Sequence, residues 1–329
     1  LATIKEVAAK TGLSPTTVSR VINNHPYVDA NKRQIVLEAM EELGYVPNSS
    51  ARRLRGQRTD TIAVIISRIV NPFFSHLIDA MEHVAAKEGY QLILCDSRLD
   101  KKRELQQLDL LKTKQVDGII LASLQNKWSV IEPFTKFGPI ICCNEYDSNA
   151  KLPMVICDQE HGGYLGTRHL IEQGHKRIAY AGGTDRIELT RDRYRGFERA
   201  MKEADLAIDR ALLFPSFYGI EDGKNIFQQI ISMKQPPTAI FAGGDEVAAG
   251  IIREAKQFQY RVPEDLAVLG FDNQPLAELI DPGITTIDQP IKQMGTRAVE
   301  LMVEMIKENH EVTYSKETLP LQLIKREST

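Results

Sequence analysis

No stretch of the 329-residue chain approaches the roughly 18 continuous apolar residues that a membrane span requires. The first residues hold no apolar signal core and begin at once with a helix signal, so the expected location is the cytoplasm, with no membrane partner. Cysteine is scarce: Cys95, Cys142, Cys143 and Cys157 all lie in apolar, strand-like runs, and none has metal-site spacing. They read as small buried hydrophobes in a reducing compartment, not as disulfides or metal ligands. A nucleotide fingerprint is missing as well. "AGGTD" and "AGGDE" are strand-to-helix turns without the third glycine or a Lys-Ser/Thr pair. No Ser/His/Asp or Cys/His arrangement can be assembled. His161 and His169 stand eight residues apart, about two helical turns, too far to share a metal. No catalytic residue, metal or cofactor is therefore expected.

Strong net charge is lacking too, at −3 overall, but the charge is unevenly distributed. Residues 1–58 hold nine basic and five acidic residues, and residues 59–329 hold 32 and 39. A small head of net +4 on a body of net −7 points to a polyanionic partner for the head alone.

In that head, Thr3-Ile4-Lys5-Glu6 has the form of a capping box, and Gly12 supplies a left-handed stop. Ser14 is a good N-cap and Pro15 suits the first helical position. Val18, Val21 and Ile22 then form an apolar stripe. Two short helices with a tight glycine-containing turn make a helix-turn-helix. A third helix starts near Asp29 or Asn31, buries Val36, Ala39, Met40 and Leu43, and ends at Gly44. Periodicity alone leaves a generic helical bundle open. The outer face of the second helix, Thr16, Thr17, Ser19, Arg20 and Asn23, carries side chains suited to base edges and phosphates.

The pattern "VAxxxGxSxxTVSRVxN" followed by "GYxPNxxARxL" runs without a gap over more than fifty residues, and it resembles the DNA-binding head of the lactose-repressor/galactose-repressor family of bacterial transcription regulators. The resemblance implies that Pro15 and Thr16 occupy the variable base-reading positions. Thr3, Ser14, Thr17, Ser19, Arg20 and Asn23 belong to the same DNA-binding set. Pro15 departs from the usual side-chain donor: it can touch only a thymine methyl or shape the helix start.

"PNSSARRLRGQ", residues 47–57, reads as a short helix capped by Asn48 or Ser49 and too short to be stable alone. The resemblance implies a hinge helix that pairs with its twin in the minor groove. There Leu54 wedges into the central base step, Ala51 permits close approach, and Arg52, Arg53 and Arg55 face phosphate. An unstructured basic linker with an incidental leucine is the alternative.

Beyond Thr59, apolar strands at 61–67, 90–96, 116–123, 139–144, 154–158, 177–183, 238–244 and 266–273 mostly alternate with helical segments. Such a body is α/β, with two parallel sheets covered on both faces and a cleft between two subdomains. Ligands in such sheets bind outside the carboxyl ends of the strands. Asn71, Phe73, Ser123, Asp158, Asp245, Glu246 and Asp272 stand there, and Arg193 lies near a following helix start.

The blocks "NPFF", "KQVDGII", "GGYLGTRHLIEQGHKRIAYAGG", "RYRGF" and "VPEDLAVLGFDN" resemble the same family's two-lobed, periplasmic-binding-protein-like body. The resemblance implies domains at 1–46 (head), 47–59 (hinge helix and linker) and 60–329 (effector binding and dimerisation). Lobe 1 would take about 60–159 and 290–320, and lobe 2 about 160–289 and 321–329, with crossings near 158–161, 288–291 and 320. It also implies effector contacts from Asp272, Arg193, Phe73 and Tyr218, with Ser123 and Glu246 as further candidates, Glu246 because Gly244 stands where sugar-responsive members carry an amide. From the residues alone, Asp272 could merely cap the next helix and Arg193 could be a solvated charge. The expected protein is a dimeric, operator-binding repressor under a small effector, a sugar or sugar derivative before a purine or other metabolite. A solute-binding protein would share the body but carry an export signal and no head.

Overall fold

The computed structural model of the chain describes residues 2–22, 25–46, 58–182, 187–214, 219–308 and 314–329. It divides into two compact units, Leu1–Thr59 and Asp60–Thr329.

The first unit is helical. Thr3 caps helix Ile4–Thr11: its hydroxyl accepts from Glu6 N–H, and the Glu6 carboxylate reaches back to Thr3 N–H at 2.7 Å. Gly12, at φ 68, ends that helix in the left-handed region. Ser14 Oγ accepts from Thr17 N–H at 3.1 Å and opens helix Pro15–Ile22. Asp29 caps helix Ala30–Leu43, and Gly44 stops it at φ 59. Val7, Ala8, Val18, Val21, Val36 and Ala39 make the core of this unit.

The second unit is built on two sheets. Strands β1 (Thr61–Ile66), β2 (Gln91–Asp96), β3 (Gly118–Leu121), β4 (Ile140–Cys143), β5 (Met154–Cys157) and β10 (Lys316–Leu319) form a parallel sheet in the order β10-β5-β4-β3-β1-β2. Strands β6 (Ile178–Ala181), β7 (Ala239–Ala242), β8 (Ala267–Asp272), β9 (Thr285–Asp288) and β11 (Gln322–Ile324) form the other, in the order β11-β9-β8-β7-β6. It is parallel except where β11 runs antiparallel to β9. Most strands are buried along their length, as continuous apolar runs under helices must be. The exceptions are the edge strands β2, β10 and β11, and β2 exposes Ile93 and Leu94.

β9, β10 and β11 are not apparent from periodicity. They are three or four residues long, and β10 and β11 are at most half-buried. They matter because the chain passes between sheets three times: after β5, after β9, and between β10 and β11. Each sheet with its helices is thus a lobe, and the passages are the hinges. The four cysteines are buried free thiols. No described helix is long and apolar enough to cross a membrane.

In the second lobe, helices Gln159–Glu172 and Glu188–Glu203 pack backbone to backbone. A Cβ on Gly196 would stand 1.9 Å from Glu160 O and 2.5 Å from Tyr164 N, and one on Gly163 would stand 2.0 Å from Arg193 O. Since the obstructing atoms are backbone, relief requires the helices to separate. Gly196→Ala is expected to cost about 2–3 kcal/mol in urea unfolding, the scale of overpacking a tight core. A loss below about 0.5 kcal/mol would show that the helices do not meet this closely.

Candidate functional site

The carboxyl ends of strands from both sheets converge on a cavity of about 410 Å³ between the lobes. Two charges define its floor. Arg193, on helix Glu188–Glu203, is 4% exposed. Its Nε and Nη2 donate to Gln159 Oε1 at 3.2 and 2.7 Å, and its Nη1 donates to Gly243 O at 2.8 Å. The guanidinium lies 3.3 Å above the centre of the Phe271 ring. A guanidinium carries five N–H groups, so this set leaves two for the cavity.

The second charge is Asp272, at the end of β8, which holds φ at 102, a strained region for an aspartate. It does not cap the next helix: Pro275–Leu279 begins after Gln274 without a side-chain cap. Instead its carboxylate accepts from Gln289 Nε2 at 2.6 Å and Gln274 Nε2 at 3.3 Å. Gln159 Nε2 donates to Gln289 Oε1 at 3.0 Å. A continuous chain therefore runs Arg193–Gln159–Gln289–Asp272. Its two glutamines sit at two of the three inter-lobe passages.

Burial pushes the Asp272 carboxyl up to about 6, against the pull of Arg193 and its two glutamine donors. Behind it, fully buried Asp245 accepts from Gln274 N–H and Thr286 Oγ, each at 2.7 Å. Burial, and then repulsion from Asp272, raises Asp245 to about 8. A Cβ on Gly270 would lie 2.2 Å from Asp245 Oδ1, so only glycine leaves room for this supporting carboxyl. On the other lobe, Glu145 accepts from Leu124 N–H at 2.6 Å, and burial raises it to about 8.

The lobes are also clasped at the rim. The Tyr146 phenol donates to Asp192, and Ser148 donates to Glu188 through N–H at 2.6 Å and Oγ at 2.9 Å. Both acceptors lie on the helix that carries Arg193.

Of the residues singled out in sequence, Phe73, Arg193 and Asp272 line the cavity. Ser123 does not: it is fully buried, and its hydroxyl has no hydrogen-bond partner among the described residues. Glu246 does not line it either, but sits half-buried at a helix start within the field of Arg68. Tyr218, Asn23, Asn48, Ala51, Arg52, Leu54 and Arg55 lie outside the described residues. In the head, Pro15, Thr16 and Arg20 are exposed, Thr17 and Ser19 are half-buried, and Thr3 and Ser14 commit their hydroxyls to helix caps. Gln159, Gln289, Asn144, Arg68 and Lys101 were not singled out. For the glutamines a signal was present: "CDQ" at 157–159 and "IDQ" at 287–289 each end a strand where the chain leaves a sheet. His169 and His175 are tied to Thr329 and Thr238 hydroxyls, and no described His/Cys/Asp/Glu cluster could hold a metal.

Comparison with known proteins bears on both units. Residues 3–48 match the family described as "Bacterial regulatory proteins, lacI family", and residues 167–329 match the "Periplasmic binding protein-like domain". The chain is 44% identical over 327 residues to the NTD biosynthesis operon regulator NtdR of Bacillus subtilis (strain 168), covering 99% of each chain. It is similar to the solved transcriptional regulator CelR–cellobiose complex at 28% identity, with a TM-score of 0.73 and all of both chains covered. It shares the fold of the Lac repressor dimer bound to operator and the anti-inducer ONPF, at TM-score 0.87 and 24% identity, over 99% of this chain and 98% of that one.

The buried arginine supplies a stability test. Gln159→Leu removes the acceptor of two guanidinium N–H groups and should cost about 2–4 kcal/mol. Adding Arg193→Met should recover much of that loss, since no buried charge is then left unpaired. Urea unfolding of the two single variants and the double variant reads the coupling. Additive losses would mean that Gln159 does not hold Arg193.

Proposed function

The chain belongs to the lacI family of bacterial regulatory proteins, DNA-binding transcriptional regulators, and from that membership we propose that it is a cytoplasmic repressor that binds a near-palindromic operator as a homodimer and is controlled by a carbohydrate effector held between its lobes. The observation that carries the effector reading is the Arg193–Gln159–Gln289–Asp272 chain across the cavity floor. A polyhydroxyl ring bridging Arg193 and Asp272 would compete for groups that now hold two hinge glutamines, and so would bias the lobe arrangement. The exposed face of Pro15, Thr16 and Arg20 suits a helix lying in the major groove. Exposed Ile93 and Leu94 on edge strand β2 suit contact with a second copy.

In this reading residues 60–329 bind effector and partner subunit, and residues 1–46 read the operator. Residues 47–59 form a hinge helix with Leu54 as wedge and Asn48, Ala51, Arg52 and Arg55 against the backbone. A helix that short is marginal alone, so a small displacement of its starting points near 58–60 unpairs it and releases the operator. Effector and operator affinities are then coupled reciprocally.

Operator binding tests the head. Affinity should fall with salt, with a log–log slope of roughly −0.9 for each phosphate neutralised. Leu54→Ala should weaken specific binding about ten-fold or more and reduce the bend. Undiminished affinity and an unchanged bend would remove the wedge.

Effector binding should track the ionisation of Asp272. Protonation replaces an acceptor by a donor, so affinity should fall as pH drops from 7.5 to 5, through the carboxyl's value of about 6. Asp272→Asn should bind about ten-fold or more weakly and lose that pH response. A variant with wild-type affinity and pH profile would move the effector elsewhere.

A further inference from the structure

The wall of the cavity opposite Asp272 carries more positive charge than a neutral sugar would need. Arg68 follows β1, and Lys101 opens helix Lys101–Lys112 after β2; both line the cavity. β1 and β2 are parallel neighbours in register to Ile66 opposite Asp96, so both cations stand at one corner of the same sheet edge. Neither side chain forms an ion pair or hydrogen bond among the described residues.

The nearby carboxylates form no ion pair with either cation, although Glu104 lies within the field of Lys101. Glu104, on the helix that Lys101 opens, accepts from Gln125 N–H, Asn126 N–H and Asn126 Nδ2 at 2.6–2.9 Å. Asp100 caps its own helix through Lys102 and Arg103 N–H. Asp96 accepts from Arg98 N–H at 2.9 Å and faces its guanidinium. Across the cleft Glu246 feels Arg68, yet the two form no ion pair. With Arg193, three cations face the carboxyls of Glu145 and Asp272 in the lining. Burial favours the neutral form of Glu145 more strongly than that of Asp272, so Asp272 is the more readily ionised of the two. The lobe-1 wall adds Asn71, Gln125 and Asn144, whose Oδ1 is buried and unpartnered. Arg68 is half-buried and Lys101 exposed, so both are hydrated at the open side of the cavity; an anionic group could exchange that water for charge-assisted hydrogen bonds, which a neutral polyol supplies only in weaker form.

Resting on the assignment of this cavity to the effector, we propose that the effector is a sugar bearing an anionic group, a phosphate or a carboxylate, held against Arg68 and Lys101, while its hydroxyls meet Asp272 and Arg193. The volume of about 410 Å³ suits a molecule of that size.

Isothermal titration of the full chain with hexoses, pentoses and disaccharides, each beside its phosphate monoester and its uronic acid, tests this. Inorganic phosphate alone and adenosine serve as further probes. An ester or an acid should bind about ten-fold or more tightly than its neutral parent, the scale of one charge-assisted hydrogen bond. Which of the two wins identifies the anion, and added salt should narrow the gap. In Arg68→Gln/Lys101→Gln the ratio of anionic to neutral affinity should collapse toward one. The two single variants, with melting temperatures recorded, guard against misfolding. A neutral sugar or adenosine binding as tightly as any ester or acid, a ratio unmoved in the variants, or no anionic sugar binding at all, overturns the proposal. Anionic sugars that bind equally well to Asp272→Asn would instead overturn the cavity assignment, and this proposal with it.

Discussion

Two opposite charges, the buried Arg193 and the half-buried Asp272, face the cavity floor without touching each other, and much of the second lobe is arranged to bear that. Direct contact would form an ordinary buried ion pair and leave little for a ligand to do. Here Gln159 and Gln289 stand between them, so each charge is solvated by an amide. The arrangement needs rigid support, because an amide satisfies a charge less well than a counter-charge does. The support is visible: helix Glu188–Glu203 is pressed backbone to backbone on Gln159–Glu172, Phe271 lies flat under the guanidinium, and Asp245 fixes Gln274 behind Asp272. Asp272 itself sits at φ 102, a conformation that persists only where its surroundings over-determine it.

The same helix couples the floor to the rim. Glu188 and Asp192 grip Ser148 and Tyr146 of the other lobe, and Arg193 follows directly in sequence. A shift of this helix therefore changes the floor contacts and the rim clasp together. Three clasp bonds and two hinge glutamines join the lobes, and packed contacts of this kind switch between arrangements more readily than they deform. Coupling of this kind requires only that a ligand favour one arrangement over another, by the difference in its affinity for the two.

How much of this could be read in the sequence depended on whether the signal was local. Caps were legible because the residues that make them lie within three positions: Thr3 with Glu6, Ser14 with Thr17, Asp29 with Lys32. Long apolar strands such as Thr61–Ile66 were legible because burial on both faces demands continuous hydrophobicity. β9, β10 and β11 were not, since three or four residues of mixed polarity look like loop. At the cavity, the resemblance pointed to Phe73, Arg193 and Asp272, which line it, and also to Ser123 and Glu246, which do not. Position at a strand end does not say which way the chain then turns; Ser123 goes inward and Glu246 sits half-buried on a helix. The glutamines were overlooked because an uncharged amide advertises no chemistry. Gln159 takes its meaning from Arg193, 34 residues on, and Gln289, 130 residues on, and no short window of sequence contains them.

The uneven charge distribution has a physical use of its own. A chain of net −3 should be indifferent or averse to a polyanion, yet residues 1–58 carry +4 and the remainder −7. Attraction to phosphate falls off within about a Debye length, roughly 8 Å at physiological salt, so the head meets DNA on its own charge. The acidic body, by the same argument, gains nothing from lying along the duplex, which restricts binding to the head. In the dimer proposed above, two heads would engage at once, and the affinity of the pair would depend on whether both can reach their half-sites. Under that proposal geometry, not charge, is the variable quantity, and a change in lobe arrangement would supply it.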